Sequence, residues 1–152
     1  MPKLKIKKIL QIAFFAVVAI AVLDQVTNVY SRWRAGREIR AEIWKNARVT
    51  VLKTDPRFPP GVLVEYLNGS PYAIEKTRFA ITFTLGTRVV AATERDFREM
   101  RPGKTEHVLL KSVEAQPSAT PPPPGTKLTY SLIVFPGQRK PLPAIAGEIE
   151  IR

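Results

Sequence analysis

The spacing of hydrophobic and polar positions changes once along this chain. Residues 9–23 read Ile-Leu-Gln-Ile-Ala-Phe-Phe-Ala-Val-Val-Ala-Ile-Ala-Val-Leu, an apolar run that follows Lys3, Lys5, Lys7 and Lys8. Beyond it, Val26, Val29, Tyr30 and Trp33 recur at helical spacing, with Asp24, Thr27, Asn28 and Ser31 on the other side. From Ala47 onward the period falls to two. Phe79, Ile81, Phe83 and Leu85 alternate with Arg78, Ala80, Thr82 and Thr84, as a strand with one buried face requires. The same pattern predicts strands at residues 47–53, 61–67, 76–85, 87–94, 105–112, 126–135 and 147–152. Turn formers separate several of them: Pro59-Pro60-Gly61, Asn68-Gly69-Ser70-Pro71, Leu85-Gly86-Thr87 and Arg101-Pro102-Gly103-Lys104. The predicted fold class is therefore mainly β, an immunoglobulin-like antiparallel β-sandwich of about seven strands. A transmembrane helix and a membrane-proximal helical stalk precede it.

Length decides how the apolar run can be used. As a helix, residues 9–23 cover about 22 Å, short of the roughly 30 Å hydrocarbon core. Counting from Leu4 to Val26 closes the gap if the lysines snorkel to one interface and Asp24 and Gln25 approach the other. Tyr30 and Trp33 then fall at headgroup level, and Arg34 to Glu38 and Glu42 to Lys45 support a helix as far as Asn46. The organisation expected is a basic cytoplasmic tail (1–8), a transmembrane anchor (9–26), a helical stalk (27–46) and a sandwich domain (47–152) with a Pro-rich loop at 116–125. The alternative is a secretory signal cleaved after Ala21, at the small-x-small site Ala19-Ile20-Ala21. Basic residues flank the run on both sides, four lysines before it and Arg32, Arg34, Arg37 and Arg40 after it. A long C-terminal domain crosses largely regardless of charge, so the expected topology is N-terminus in the cytoplasm and domain in the periplasm.

The order Gly61-Val-Leu-Val-Glu-Tyr-Leu-Asn68-Gly-Ser70, then Phe79-Ala-Ile-Thr-Phe83-Thr-Leu85-Gly86, then Arg101-Pro102-Gly103-Lys104-Thr105 resembles the FxLYD family and related water-stress-type domains. The resemblance spans about residues 50–112. Phe83 and Leu85 match the family's aromatic-x-Leu strand end, and Gly86-Thr87 stand where its Tyr-Asp would follow, which shortens the hairpin. It implies a small antiparallel sandwich, often membrane-tethered, acting outside the cytoplasm as a binding or scaffolding module.

Composition narrows the chemistry. The chain has 152 residues, enough for one domain with a modest core. With no cysteine, it has no disulfide framework, Cys-based zinc site, iron–sulfur cluster or thiol nucleophile. The one histidine, His107, projects to the opposite strand face from Glu106, so those two form no local dyad. Glu94, Asp96 and Glu99 are interleaved with arginines, which cancels the field a hard cation needs and favours a solvated loop or helical turn laced with ion pairs. Gly103-Lys104-Thr105 lacks the glycine a phosphate loop requires five positions before Gly103, where Arg98 stands. Asn68-Gly69-Ser70 has the form of a glycosylation acceptor and equally that of a tight turn, and the turn is the reading adopted. No catalytic, cofactor or metal site is expected, and no small-molecule substrate is evident.

The formal net charge of +11 invites a nucleic-acid reading until its placement is considered. Four of those charges precede the apolar run, and the stalk arginines are offset by Asp24, Glu38 and Glu42. The rest is scattered among turns, without the concentrated stripe or stacking platform that nucleic acid calls for. The candidate membrane-interface residues are Lys3, Lys5, Lys7, Lys8, Tyr30, Arg32, Trp33, Arg34 and Arg37. The partners expected are membrane lipids and a protein in a membrane complex, with the chain as an accessory or assembly subunit.

Overall fold

A computed structural model describes residues 2–111, 120–137 and 140–152, with side chains from residue 14 onward. By contacts the chain divides into two units, Met1–Ile39 and Arg40–Arg152.

Helix α1 spans Pro2–Asn46. Its sequence contains a single glycine, Gly36, and Pro2 occupies the first helical position, where the missing amide hydrogen costs nothing. At the other end, Asn46 Nδ2 donates to the Glu42 carbonyl at 2.9 Å and to Glu42 Oε1 at 2.7 Å, satisfying a last-turn acceptor. Glu42 thus serves Asn46 instead of the expected Lys45.

Seven strands follow: β1 Ala47–Asp55, β2 Gly61–Asn68, β3 Thr77–Leu85, β4 Arg88–Phe97, β5 Thr105–Lys111, β6 Lys127–Pro136 and β7 Ile145–Glu150. They form two antiparallel sheets, ordered β1-β2-β5 and β4-β3-β6-β7. The domain is mainly β, as the period-two pattern requires. Strand β4 hairpins onto β3 and so belongs to the four-stranded sheet. An immunoglobulin constant-type partition would instead put the fourth strand with the first, second and fifth.

Two strands, β4 and β7, depart most from the sequence reading. Residues 94–97 lie in β4, not in a loop or helical turn, because β3 offers partners as far as Thr77↔Phe97. Asp96 then meets Arg78 across the pair at 3.1 Å and Lys76 at 2.8 Å, so its ion partners come from β3 and the residue just before it, not from the adjacent arginines. Strand β7 begins at Ile145 and ends at Glu150, because its partner β6 runs out at Lys127. Ile151 still donates its amide hydrogen to the Thr126 carbonyl at 2.9 Å. Residues 120–125 are non-strand, as expected of the Pro-rich loop, and β6 begins one residue later than expected, at Lys127; Ser112 and residues 116–119 of that loop lie outside the described residues.

The core is the meeting of the two inner faces. Val62, Val64 and Tyr66 of β2 and Val108 and Leu110 of β5 oppose Phe79, Ile81 and Phe83 of β3 and Leu128, Leu132 and Val134 of β6, all essentially without exposure. The Tyr66 and Phe79 rings meet edge to face at 5.4 Å across the sheets. Tyr66 reconciles its polar end with burial by bonding Thr77 Oγ1 at 2.9 Å, and desolvation raises its pKa, so the phenol stays neutral. Each fully buried aromatic contributes on the order of 1.5–3 kcal/mol.

At the end of β2 lies a polar knot. Asn68 is fully buried. Its Nδ2 donates to the carbonyls of Tyr72 at 2.8 Å and Met100 at 3.0 Å, and its Oδ1 accepts from Ser70 N at 3.1 Å and Ser70 Oγ at 2.7 Å. Gly69 must be glycine for a separate reason: a Cβ there would lie 2.8 Å from the Asn46 carbonyl oxygen. The Asn-Gly-Ser turn is thus the socket in which the helix end rests, and its amide nitrogen is committed to two carbonyls.

The outer face of the three-stranded sheet carries a bridge that spans two strand spacings. Asp55 on β1 and Lys111 on β5 both align with Gly61 of β2. Lys111 lies across the bare glycine, whose missing Cβ would sit 3.1 Å from Lys111 Cβ, and reaches Asp55 Oδ2 at 2.7 Å. The Lys111 hydrogen bond, then one from the Arg57 backbone, lowers the Asp55 pKa from 3.8 to about 2. A depressed carboxylate pKa stabilises the fold above pH 4, and that contribution is lost as pH falls toward 2. Allowing for solvent screening, it is about 1 kcal/mol. Lys111→Met should therefore lower the melting temperature at neutral pH and flatten its fall between pH 4 and pH 2; a variant curve parallel to the parent's would refute the assignment.

Candidate membrane-interface site

Between Phe14 and Leu23 the helix is apolar on its outside. Phe14, Phe15, Val17, Ile20 and Leu23 are each between 65% and 70% exposed, a degree of exposure that apolar side chains of this size tolerate when another phase covers them. By length and composition the helix is apolar enough to cross a membrane. Those two properties suit a membrane span and a signal sequence alike.

The belt ends in polar groups that the helix satisfies itself. Thr27 Oγ1 donates back to the Asp24 carbonyl at 3.2 Å, Ser31 Oγ to the Asn28 carbonyl at 2.9 Å, and Asn28 Nδ2 to Asp24 Oδ2 at 3.4 Å. Hydroxyls that bond within the preceding turn can sit near hydrocarbon at little cost. Above them the aromatic pair is assembled: the Tyr30 and Trp33 rings are 6.0 Å apart with planes 32° from parallel, and the Arg37 guanidinium lies 5.6 Å from the centre of the Trp33 ring. Spacings of three and four bring these three side chains onto one face. Tyr30 and Trp33 are more than half exposed.

Of the other expected interface residues, Arg34 pairs with Glu38 at 3.1 Å on the exposed surface. Arg32, two positions from Tyr30, projects away from the stack and is exposed. Lys3, Lys5, Lys7 and Lys8 lie outside the residues whose side chains are described. What the arrangement can do chemically is limited and specific: an amphipathic ring pair with a cation above it prefers the boundary between acyl chains and headgroups.

On the β domain, His107 is exposed and its Nε2 stands 3.4 Å from Glu65 Oε2 on the adjacent strand, not beside Glu106. Among the described residues, no group of three His, Cys, Asp or Glu side chains gathers as a metal site would. A further feature that local spacing did not reveal is the contact of Trp44, read from sequence only as part of the stalk. Its Nε1 donates to the Pro141 carbonyl at 2.8 Å, and the Lys140 ammonium lies 3.9 Å from the centre of its ring. Partners almost a hundred residues apart leave no periodic signal.

Fold and site together define a mainly β domain of two antiparallel sheets preceded in the chain by an N-terminal apolar helix. No protein-family model matches the chain, and no curated protein matches it. Among solved structures it is similar to a beta-glucosidase from Listeria innocua crystallised with gluconolactone, at 13% identity and a TM-score of 0.39, over 69% of this chain and 16% of that one.

Proposed function

We propose that this is a non-enzymatic, single-pass protein of a bacterial inner membrane, with its N-terminus in the cytoplasm and its β domain in the periplasm. There the domain binds or scaffolds a protein partner, as an accessory or assembly subunit of a membrane complex. The observation that carries the reading is the exposed apolar belt continued by the Tyr30, Trp33 and Arg37 stack. A cleaved signal has no use for an aromatic and cationic girdle beyond its cleavage site, whereas an anchor does.

The mature N-terminus tests it. Mass spectrometry of the chain recovered from membranes should find residues 1–21 retained; a chain beginning at Val22 would overturn the anchor in favour of a released periplasmic binding module. Crosslinking in native membranes should then capture a neighbouring protein, and repeated capture of lipid alone would remove the scaffolding half.

A further inference from the structure

On one lateral side of the β domain, the sheets end in β1 and β7, each hydrogen-bonded to a single neighbouring strand. The opposite side is guarded: Arg95 of β4 donates to the Leu109 carbonyl of β5 at 2.9 Å, placing a cation over that edge. Between β1 and the start of β7 opens a cleft of about 330 Å³ whose apolar wall is Val49, Val134, Leu142 and Ile145. Trp44 also lines a second cleft of about 240 Å³, to which Arg40 and Lys140 contribute. The indole is held by Pro141 on one side and covered by Lys140 on the other.

The lining of the two clefts is one-signed. Arg40, Lys45, Arg48 and Lys140 contribute to it, and among the described residues no acidic one does. An apolar slot, a ring of cations and an edge strand with unpaired backbone groups are together the features that recognise an extended chain: main-chain bonds hold it, alternate side chains enter the slot, and the others meet the charges. Of the two edges, β7 bears Glu148 and Glu150, which repel acid, while β1 bears Arg48 and Lys53, and its one acid, Asp55, is paired with Lys111. We propose that an extended segment of a partner protein, apolar and acidic at alternate positions, adds to the β1 edge with an apolar side chain in the Val49–Val134–Ile145 slot and carboxylates toward Arg40, Arg48 and Lys140. This deepens the scaffolding reading and rests on its partner-binding half alone.

The test uses the full chain in detergent micelles, with Trp33→Phe so that Trp44 is the emitting indole. The probes are an acetylated peptide of alternating Glu and Val and its counterpart of alternating Lys and Val. The acidic peptide should shift Trp44 emission saturably and the basic one should not. Lys140→Glu, on an exposed loop, should weaken binding about tenfold, and adding Arg48→Glu should weaken it further; Arg88→Glu on β4 should leave it unchanged. Equal response to both peptides, no response to either, or unchanged affinity in Lys140→Glu would overturn the proposal, as would a response to anionic lipid vesicles that exceeds the response to the acidic peptide. Membrane retention is measured separately: a chain that is anchored but does not bind the peptide refutes this site only, and one that binds the peptide but begins at Val22 refutes the anchor only.

Discussion

Asn68→Asp is expected to destabilise the β domain by about 3 kcal/mol or more, although it exchanges one amide nitrogen for an oxygen of nearly the same size. The fully buried Asn68 amide donates to the Tyr72 and Met100 carbonyls while its oxygen accepts twice from Ser70. The substitution removes both donors. At neutral pH it sets a carboxylate against two carbonyl oxygens, leaving the Tyr72 carbonyl to the shared Ser70 hydroxyl and the Met100 carbonyl to the Ile74 amide hydrogen, and burial opposes the charge. For a domain of this size the melting temperature should fall by about 12–20 °C. Ser70→Ala, which removes one hydroxyl and leaves the Asn68 donors in place, should cost about 1 kcal/mol. A thermal melt that placed Asn68→Asp within about 3 °C of the parent would show that the knot is not a structural centre.

The second large effect concerns the apolar belt. Val17 and Ile20, 65% and 66% exposed, lie one helical turn apart. A carboxylate near the centre of a spanning helix costs roughly 2.5–3.5 kcal/mol, so Val17→Asp with Ile20→Asp should oppose insertion by about 5–7 kcal/mol. That exceeds a thousandfold change in partition. In alkaline carbonate extraction the parent should remain with the membrane pellet and the double variant should move to the soluble fraction. Replacing Tyr30 and Trp33 by serine should weaken retention only modestly, because aromatic residues tune depth more than they drive insertion. A parent chain already soluble in carbonate, or a double variant still in the pellet, would contradict an embedded helix.

The sequence alone carried the elements well, because their signals are local. Period two in Phe79, Ile81, Phe83 and Leu85 reflects a strand with one buried face, and those first three residues are in the core. Helical spacing from Val26 to Trp33 reflects one helix face, and the Tyr30, Trp33 and Arg37 stack lies on it. Where the sequence reading stopped short, a distant partner decided. The charged residues Glu94 to Asp96 look like solvated loop, yet β3 extends far enough to pair them, and Arg78 of β3 and Lys76 just before it reach Asp96. Both cations hydrogen-bond Asp96, Lys76 more strongly, and hold its carboxyl below the usual range.

What the sequence determined by itself is therefore the division of the chain: an apolar helix suited to a bilayer, an aromatic and basic segment beyond it, and seven short strands set off by turn residues. Backbone period, turn chemistry and charge order act over a few residues and are written in neighbouring positions. Tertiary structure alone decided the sheet orders β1-β2-β5 and β4-β3-β6-β7, the burial of Asn68 beneath the helix end, the Asp55 to Lys111 bridge across Gly61, and the meeting of Trp44 with Lys140. Each joins residues far apart in the chain, where the free energy of burial and pairing selects the partner and no local pattern encodes it.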